Sequence, residues 1–173
     1  MRALVVYESM FGNTEQVARA VAEGLATSAQ VDLHEVSQVP PQAADLADLI
    51  VVGGPTHALS LTRPSTRADA VKQGATHGGV DTGLREWLAR LSPGLHTVHV
   101  AAFDTRVAKV RHLPGSAATK AAKLTRRLGY LPAGKQSFYV MDTPGPLVSG
   151  ELERAREWGA QLATDMSDRT VGR

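Results

Sequence analysis

The chain has 173 residues, 43% of them hydrophobic and 21% charged, with a formal net charge of +2. That length suits one domain, residues 1–173, with a sizeable core, and so small a charge does not by itself imply nucleic acid. No cysteine is present, which excludes disulfides, iron–sulfur clusters and zinc–thiolate sites.

The opening "MRALVVYESM" carries one Arg and a short apolar stretch that breaks at Glu8. It is too short for a secretory signal, and no later run reaches membrane-spanning length. A cytoplasmic protein without membrane insertion is expected, and neither repeats nor low-complexity tracts occur. Apolar runs of strand length follow at Ala3–Tyr7, Val31–Val36, Leu49–Val52, Val98–Phe103 and Ser137–Met141. The first, third and fourth are nearly continuous in Val, Leu, Ile and Ala, as strands covered on both faces require. The second alternates and reads as an edge strand.

Helical stripes lie between these runs. Val17, Ala18, Val21, Ala22 and Leu25 form one, Leu84, Trp87, Leu88 and Leu91 a second, and Ala117, Ala121, Leu124 and Leu128 a third. A longer helix follows Ser149, which is placed to cap it, with Glu151 and Glu153 in its first turn. Trp87 and Trp158 fall on apolar helix faces and read as core. This order predicts an α/β doubly wound parallel sheet of five strands with helices on both faces.

In such a sheet ligands bind beyond the carboxyl ends of the strands, where the strand order reverses. The first strand ends there in Ser9-Met10-Phe11-Gly12-Asn13-Thr14, and a helix begins at once. A helix start exposes unpaired N–H groups and a positive dipole end, which suit a phosphate. Gly12 permits close approach, and Ser9, Asn13 and Thr14 carry side-chain donors. The spacing matches neither G-x-x-x-x-G-K-[ST] nor G-x-G-x-x-G. Read without a ligand, Asn13 or Thr14 simply caps the helix.

The Ser9–Thr14 run after a first strand resembles the phosphate-binding loop of the flavodoxin family, and its Ser-Met-aromatic-Gly form resembles that of flavodoxin-like quinone reductases. The resemblance implies a flavodoxin-like sheet of order 2-1-3-4-5 and FMN as cofactor, with the phosphate against residues 9–14. It places Pro55, Thr56, His57 and Ala58, behind Gly53-Gly54, in the family's second flavin loop. There His57 either touches the flavin ring or is a solvated loop residue. Phe103, Asp104 and Thr105 fall in the third flavin loop. Phe103 either stacks on the ring or ends the strand core, and Asp104 either accepts from the ring or pairs with Arg106. Flavodoxins carry Tyr or Trp at these contacts and are strongly acidic; this chain has neither trait.

Other side chains give weaker signals. His96 and His99, three apart on an expected strand, point to opposite faces, and no metal site is expected. From Thr105 to Met141 there is no acid, yet Arg106, Lys109, Arg111, Lys120, Lys123, Arg126, Arg127 and Lys135 all occur. This basic stretch is either a solvated face or a surface that steers an acidic redox partner or a nucleotide such as NADPH. It lacks the interleaved aromatics that single-stranded nucleic acid requires. The long segment after His57 is expected to hold a short helix capped at Ser65 or Thr66 and ended by Gly74. With a mobile, glycine-rich tip at Thr76–Thr82, this insert is expected either to cover the flavin and offer Arg63 and Arg67 to an anionic acceptor or to be a surface excursion remote from the site.

The reading that results is an FMN protein acting in electron transfer or as an NAD(P)H-linked, quinone-type acceptor reductase. Its partner is then a redox protein or a small acceptor. The alternative is a flavodoxin-fold binding or regulatory module that has lost FMN.

Overall fold

The computed structural model describes residues 1–171. Five strands run parallel: β1 (Arg2–Tyr7), β2 (Gln30–Glu35), β3 (Leu49–His57), β5 (His99–Val107) and β6 (Leu131–Val140). Their order is β2-β1-β3-β5-β6, and the two-residue β4 (Ser60–Leu61) pairs antiparallel with the end of β3. Leaving β4 aside, this is the expected 2-1-3-4-5 order. The reversal of direction falls between β1 and β3, so their carboxyl ends border the crevice where ligands bind.

The sheet separates two cores. Ala3, Val5 and Tyr7 of β1 pack with α1 (Asn13–Leu25) and α5 (Glu151–Val171), while Leu4 and Val6 pack with α3 (Leu84–Ala89) and α4 (Ala117–Arg127). Successive residues of a strand point to opposite faces, so a strand buried on both reads as an unbroken apolar run. Trp87 is buried and donates its indole N–H to the Val39 carbonyl at 2.9 Å. Trp158 is half-buried against Phe103 and Phe138.

Three elements depart from the sequence pattern. β3 continues past Val52 through Gly53-Gly54-Pro55-Thr56-His57 and turns at Ala58 and Leu59 into β4. Both turn residues have positive φ, 47° and 58°, as a two-residue hairpin of type I′ demands. β6 begins at Leu131 instead of Ser137, with a register shift opposite Val100 and Ala101. It is an edge strand in which Pro132 and Gly134 interrupt the apolar run. α5 starts at Glu151, with the Gly150 carbonyl accepting from Arg154 N–H, so Gly150 and not Ser149 precedes the first turn. His96 lies outside β5, stacked 3.8 Å from the ring of Tyr130.

Candidate functional site

β1 carries Glu8 and Ser9 to the carboxyl rim, and the chain turns into α1 through Gly12 at φ 86°. Ser9 Oγ accepts from Gly12 N–H at 3.1 Å and Glu15 N–H at 3.3 Å. That hydroxyl shapes the loop from within. The Asn13 amide, expected to face a phosphate, instead donates to the Pro144 carbonyl at 3.2 Å and ties the loop to the β6–α5 connection. Thr14 is buried, with Oγ1 2.7 Å from Thr105 Oγ1. One hydroxyl proton serves that pair, which leaves the other free to donate outward. Among the described residues the N–H groups of Met10, Phe11, Asn13 and Thr14 have no hydrogen-bond acceptor. Unclaimed N–H groups at a helix start are the raw material of an anion site.

A cavity of about 80 Å³ opens above them. It brings together Met10, Phe11, Asn13, Thr14, Pro55, Thr56, His57 and Thr105, residues from all three stretches singled out in the sequence. Arg106, Val107, Val140 and Thr143 also line it. The last two come from β6 and the loop behind it, which ends on the same rim. Position beyond a strand's carboxyl end was the available signal for Thr143, although "DTPGP" carries no side-chain pattern of its own.

Several expected contacts lie elsewhere. Phe103 is a core residue: it is 1% exposed and meets Phe138 and Trp158 edge-on. Its ring packs beneath Gly53, where an added Cβ would lie 1.9 Å from Phe103 Cζ. Gly53 thus makes room for Phe103 and not for a ligand. Asp104 is fully buried and accepts from Ala118 N–H at 2.9 Å, fixing the start of α4. It does not pair with Arg106, whose guanidinium donates to the Val110 and Leu113 carbonyls at 2.6 and 3.2 Å. Ala58 turns away from this cavity and lines the neighbouring one. The pKa of His57 is lowered from 6.5, chiefly by burial and then by the Arg67 charge, so its imidazole is held neutral.

The segment after β4 folds back across the rim. Helix α2 (Pro64–Lys72) starts with Arg63 N–H donating to Thr66 Oγ1 at 2.9 Å, and it ends before Gly74 at φ 92°. Arg67 is 0% exposed, which removes it from any acceptor. Its guanidinium binds the Val80 carbonyl at 2.7 Å, Thr62 Oγ1 at 2.8 Å and Glu86 Oε2 at 2.9 Å, and it lies 4.0 Å from Glu8 Oε1. Glu8 is equally buried and accepts from Leu84 N–H at 2.7 Å and from the Thr62 hydroxyl at 2.5 Å. Burial raises the Glu8 pKa, against the lowering effects of those two donors and Arg67. The tip docks on the phosphate-type loop instead of covering open space. His77 N–H donates to the Met10 carbonyl at 3.2 Å, and Gly78 abuts Ser9 so closely that an added Cβ would lie 2.7 Å from its carbonyl oxygen.

With this arrangement in view, comparison with known proteins is decisive for the fold. Residues 5–60, which include the loop after β1 and the hairpin after β3, match the flavodoxin family model. The fold is flavodoxin-like. Its structure is similar to a flavodoxin of Streptococcus pneumoniae TIGR4 (TM-score 0.69, 20% identity, 95% of this chain and 99% of that one). It is similar also to a flavodoxin from the domain Archaea (TM-score 0.65, 19% identity, 96% and 99%). A WrbA-like flavodoxin of Agrobacterium tumefaciens gives a TM-score of 0.57 at 22% identity, over 96% and 98%. No curated protein matches the chain by sequence.

FMN is the cofactor of the flavodoxin family, and the residues that line this cavity are of the kind its phosphate group would require. Met10, Phe11, Asn13 and Thr14, whose N–H groups have no acceptor among the described residues, line it together with Thr105, and no carboxylate lines it. A dianionic phosphate needs such donors and no obligatory lysine.

Proposed function

We propose that the protein binds FMN and works in electron transfer, either as a shuttle to a redox partner or as an NAD(P)H-linked acceptor reductase in the cytoplasm. One observation carries the reading: unclaimed donors at the start of α1 form the floor of a cavity shared by the loops after β1, β3 and β5. Met10, Phe11, Asn13 and Thr14 would hold the phosphate, chiefly through backbone N–H groups and the Thr14 hydroxyl. Pro55, Thr56, His57 and Thr105 would line the remainder. Bound FMN would supply the redox chemistry, and the protein would supply orientation and electrostatic tuning.

The roles left to the chain follow from its geometry. Arg106 pins the loop after β5 through two carbonyls and fixes one wall. Asn13 pins the β6–α5 connection, which places Thr143 on the opposite side. His57, neutral near pH 7, can donate or accept one hydrogen bond without adding charge. Among the described residues no helix is long and apolar enough to cross a membrane.

The deciding experiment is reconstitution. Protein freed of any flavin is titrated with FMN and with riboflavin while flavin fluorescence is followed. Tight FMN binding with much weaker riboflavin binding supports the assignment. Binding of neither would leave the alternative, a flavodoxin-fold binding module.

A further inference from the structure

Between α4 and the outer strand β6 lies a cavity of about 250 Å³, at the amino ends of β5 and β6. It shares no residue with the cavity at the carboxyl rim. Val100 here and Thr105 there are separated along β5 by about 16 Å at the usual rise of a strand. Ala102, Ala118 and Ala121, all buried, pack in that interval. A flavin bound beyond the carboxyl ends does not reach this space.

An irregularity in β6 builds the cavity. Pro132 pairs with Val100 and Lys135 with Ala102, and the register shifts between those pairs. Val100 and Ala102 face the same core, on the α4 side of the sheet. The shift therefore turns Pro132 and Lys135, three positions apart, to one face, which regular alternation would forbid. Val100, Ala122 and Pro132 leave an apolar floor. Arg126 and Lys135, both exposed, stand over it. The Arg126 guanidinium has no partner among the described residues, and Lys135 Nζ reaches only the Thr119 hydroxyl, at 3.2 Å. No carboxylate lines the cavity, and no acid occurs from Thr105 to Met141.

Tyr130 belongs to the same wall. It is 3% exposed, and its buried hydroxyl has no hydrogen-bond partner among the described residues. Burial, and then the Asp45 charge, raises its pKa, so the phenol keeps its proton; Asp45 itself lines no part of the cavity. A buried hydroxyl without a partner is costly, and a ligand that brings an acceptor removes the cost. Thr125 adds no donor, because its hydroxyl already donates to the Ala121 and Ala122 carbonyls.

These features select a ligand. Two unneutralised cations over an apolar floor favour an anion with a hydrocarbon body. The planar Arg126 fork matches a carboxylate with two parallel bonds, and the Lys135 ammonium adds a point charge. The volume falls below the range of about 300–1,000 Å³ usual for drug-sized ligands, which is too small for a nucleotide. Inorganic phosphate would leave the floor uncovered. We propose that this cavity binds a small organic monocarboxylate, at a site separate from the flavin and independent of the FMN reading.

The test is an NMR titration of the isotope-labelled full chain, with and without FMN. Benzoate is the anionic probe, benzamide its neutral isostere, and inorganic phosphate an anion without an apolar body. Benzoate should shift the backbone resonances of Ala122, Arg126 and Lys135 and leave those of Asn13 and Thr14 in place. Benzamide and phosphate should each bind at least about tenfold more weakly. Arg126 and Lys135 are exposed, so replacing them leaves the core intact. Arg126→Gln should raise the benzoate dissociation constant about tenfold, the loss of a charge-assisted bond. Adding Lys135→Gln should abolish binding. An unchanged constant in Arg126→Gln would overturn the proposal, as would benzamide or phosphate binding as tightly as benzoate. Shifts confined to the Ser9–Thr14 loop, or no binding at millimolar benzoate, would overturn it as well. Each outcome is decisive whether or not the chain takes up flavin.

Discussion

Gly78 offers a direct way to disturb the loop after β1 without substituting any residue in it. The Gly78→Ala substitution has two costs. Its φ of 69° is in the left-handed region, where a side chain costs about 1–2 kcal/mol. The new Cβ would also lie 2.7 Å from the Ser9 carbonyl oxygen and 3.2 Å from Met10 Sδ, so either the loop or the tip must move. Gly74 supplies the control. Its φ is 92°, yet nothing lies within 4 Å of an added Cβ. Gly74→Ala therefore carries the backbone cost alone. A shifted loop misaligns N–H donors whose bonds to a charged group are each worth about 1.5–3 kcal/mol, so losing roughly half of one lowers FMN affinity about tenfold in Gly78→Ala. Riboflavin, which lacks the phosphate, should bind each variant as it binds the parent. The measurement is fluorescence titration of both flavins against parent, Gly74→Ala and Gly78→Ala proteins. Equal FMN losses in the two variants, or equal losses of FMN and riboflavin in Gly78→Ala, would refute the reasoning.

Thr14→Ala should weaken FMN by about 2 kcal/mol, one hydrogen bond to a charged group, and leave riboflavin unaffected in the same titration. His57 gives a pH signature. Between its lowered native pKa and the ordinary 6.5, the unfolded chain holds a proton that the folded chain lacks. Stability therefore rises with pH through that window and falls on acidification, and urea midpoints from pH 5 to 8 should show a flatter profile in His57→Asn. Arg67→Met leaves the Glu8 and Glu86 carboxylates without their cation, and chemical unfolding should show a loss of about 3–5 kcal/mol. Adding Glu8→Gln to that variant should recover part of the loss, since it removes the buried uncompensated charge.

The sequence carries the fold where strands are buried on both faces and loses it at the edges. Ala3–Tyr7 and Leu49–Val52 face two cores, so hydrophobicity alone marks them. Half of β6 faces the open edge and carries Pro132, Gly134 and Lys135, which dilute the pattern. The same contrast governs the site. The Ser9–Thr14 loop is legible because a strand end, a glycine and hydroxyl donors fall within six consecutive residues. Phe103 is not, because its role depends on where β5 ends. The strand runs on to Val107, which puts residue 103 inside the core and moves the rim to Thr105 and Arg106. Arg67 was unreadable for another reason. An arginine in a polar segment looks solvated, and its burial depends on Glu8, Thr62 and Glu86 meeting it in three dimensions. Glu8 held the missed clue: a carboxylate that closes a buried strand requires partners.

Glu8 and Ser9 are adjacent, and they do opposite jobs on opposite faces of one strand end. Glu8 fastens the segment after β4 through Leu84 N–H, the Thr62 hydroxyl and Arg67. Ser9 fastens the loop through the N–H groups of Gly12 and Glu15. The tip then returns to that loop, with His77 on the Met10 carbonyl and Gly78 against Ser9. The circuit is closed: β1, the loop, the tip and Arg67 are joined in a ring of hydrogen bonds and close packing, with no free end at the rim. Helix α2, which contributes to the neighbouring cavity that Ala58 lines, belongs to the same ring through Arg67. A long connection with this anchoring is part of the scaffold: it touches the loop after β1 through His77 and Gly78 and lines the neighbouring cavity through α2. Arg67→Met should therefore reduce FMN affinity as well as stability, although Arg67 lines neither that cavity nor the one at the start of α1.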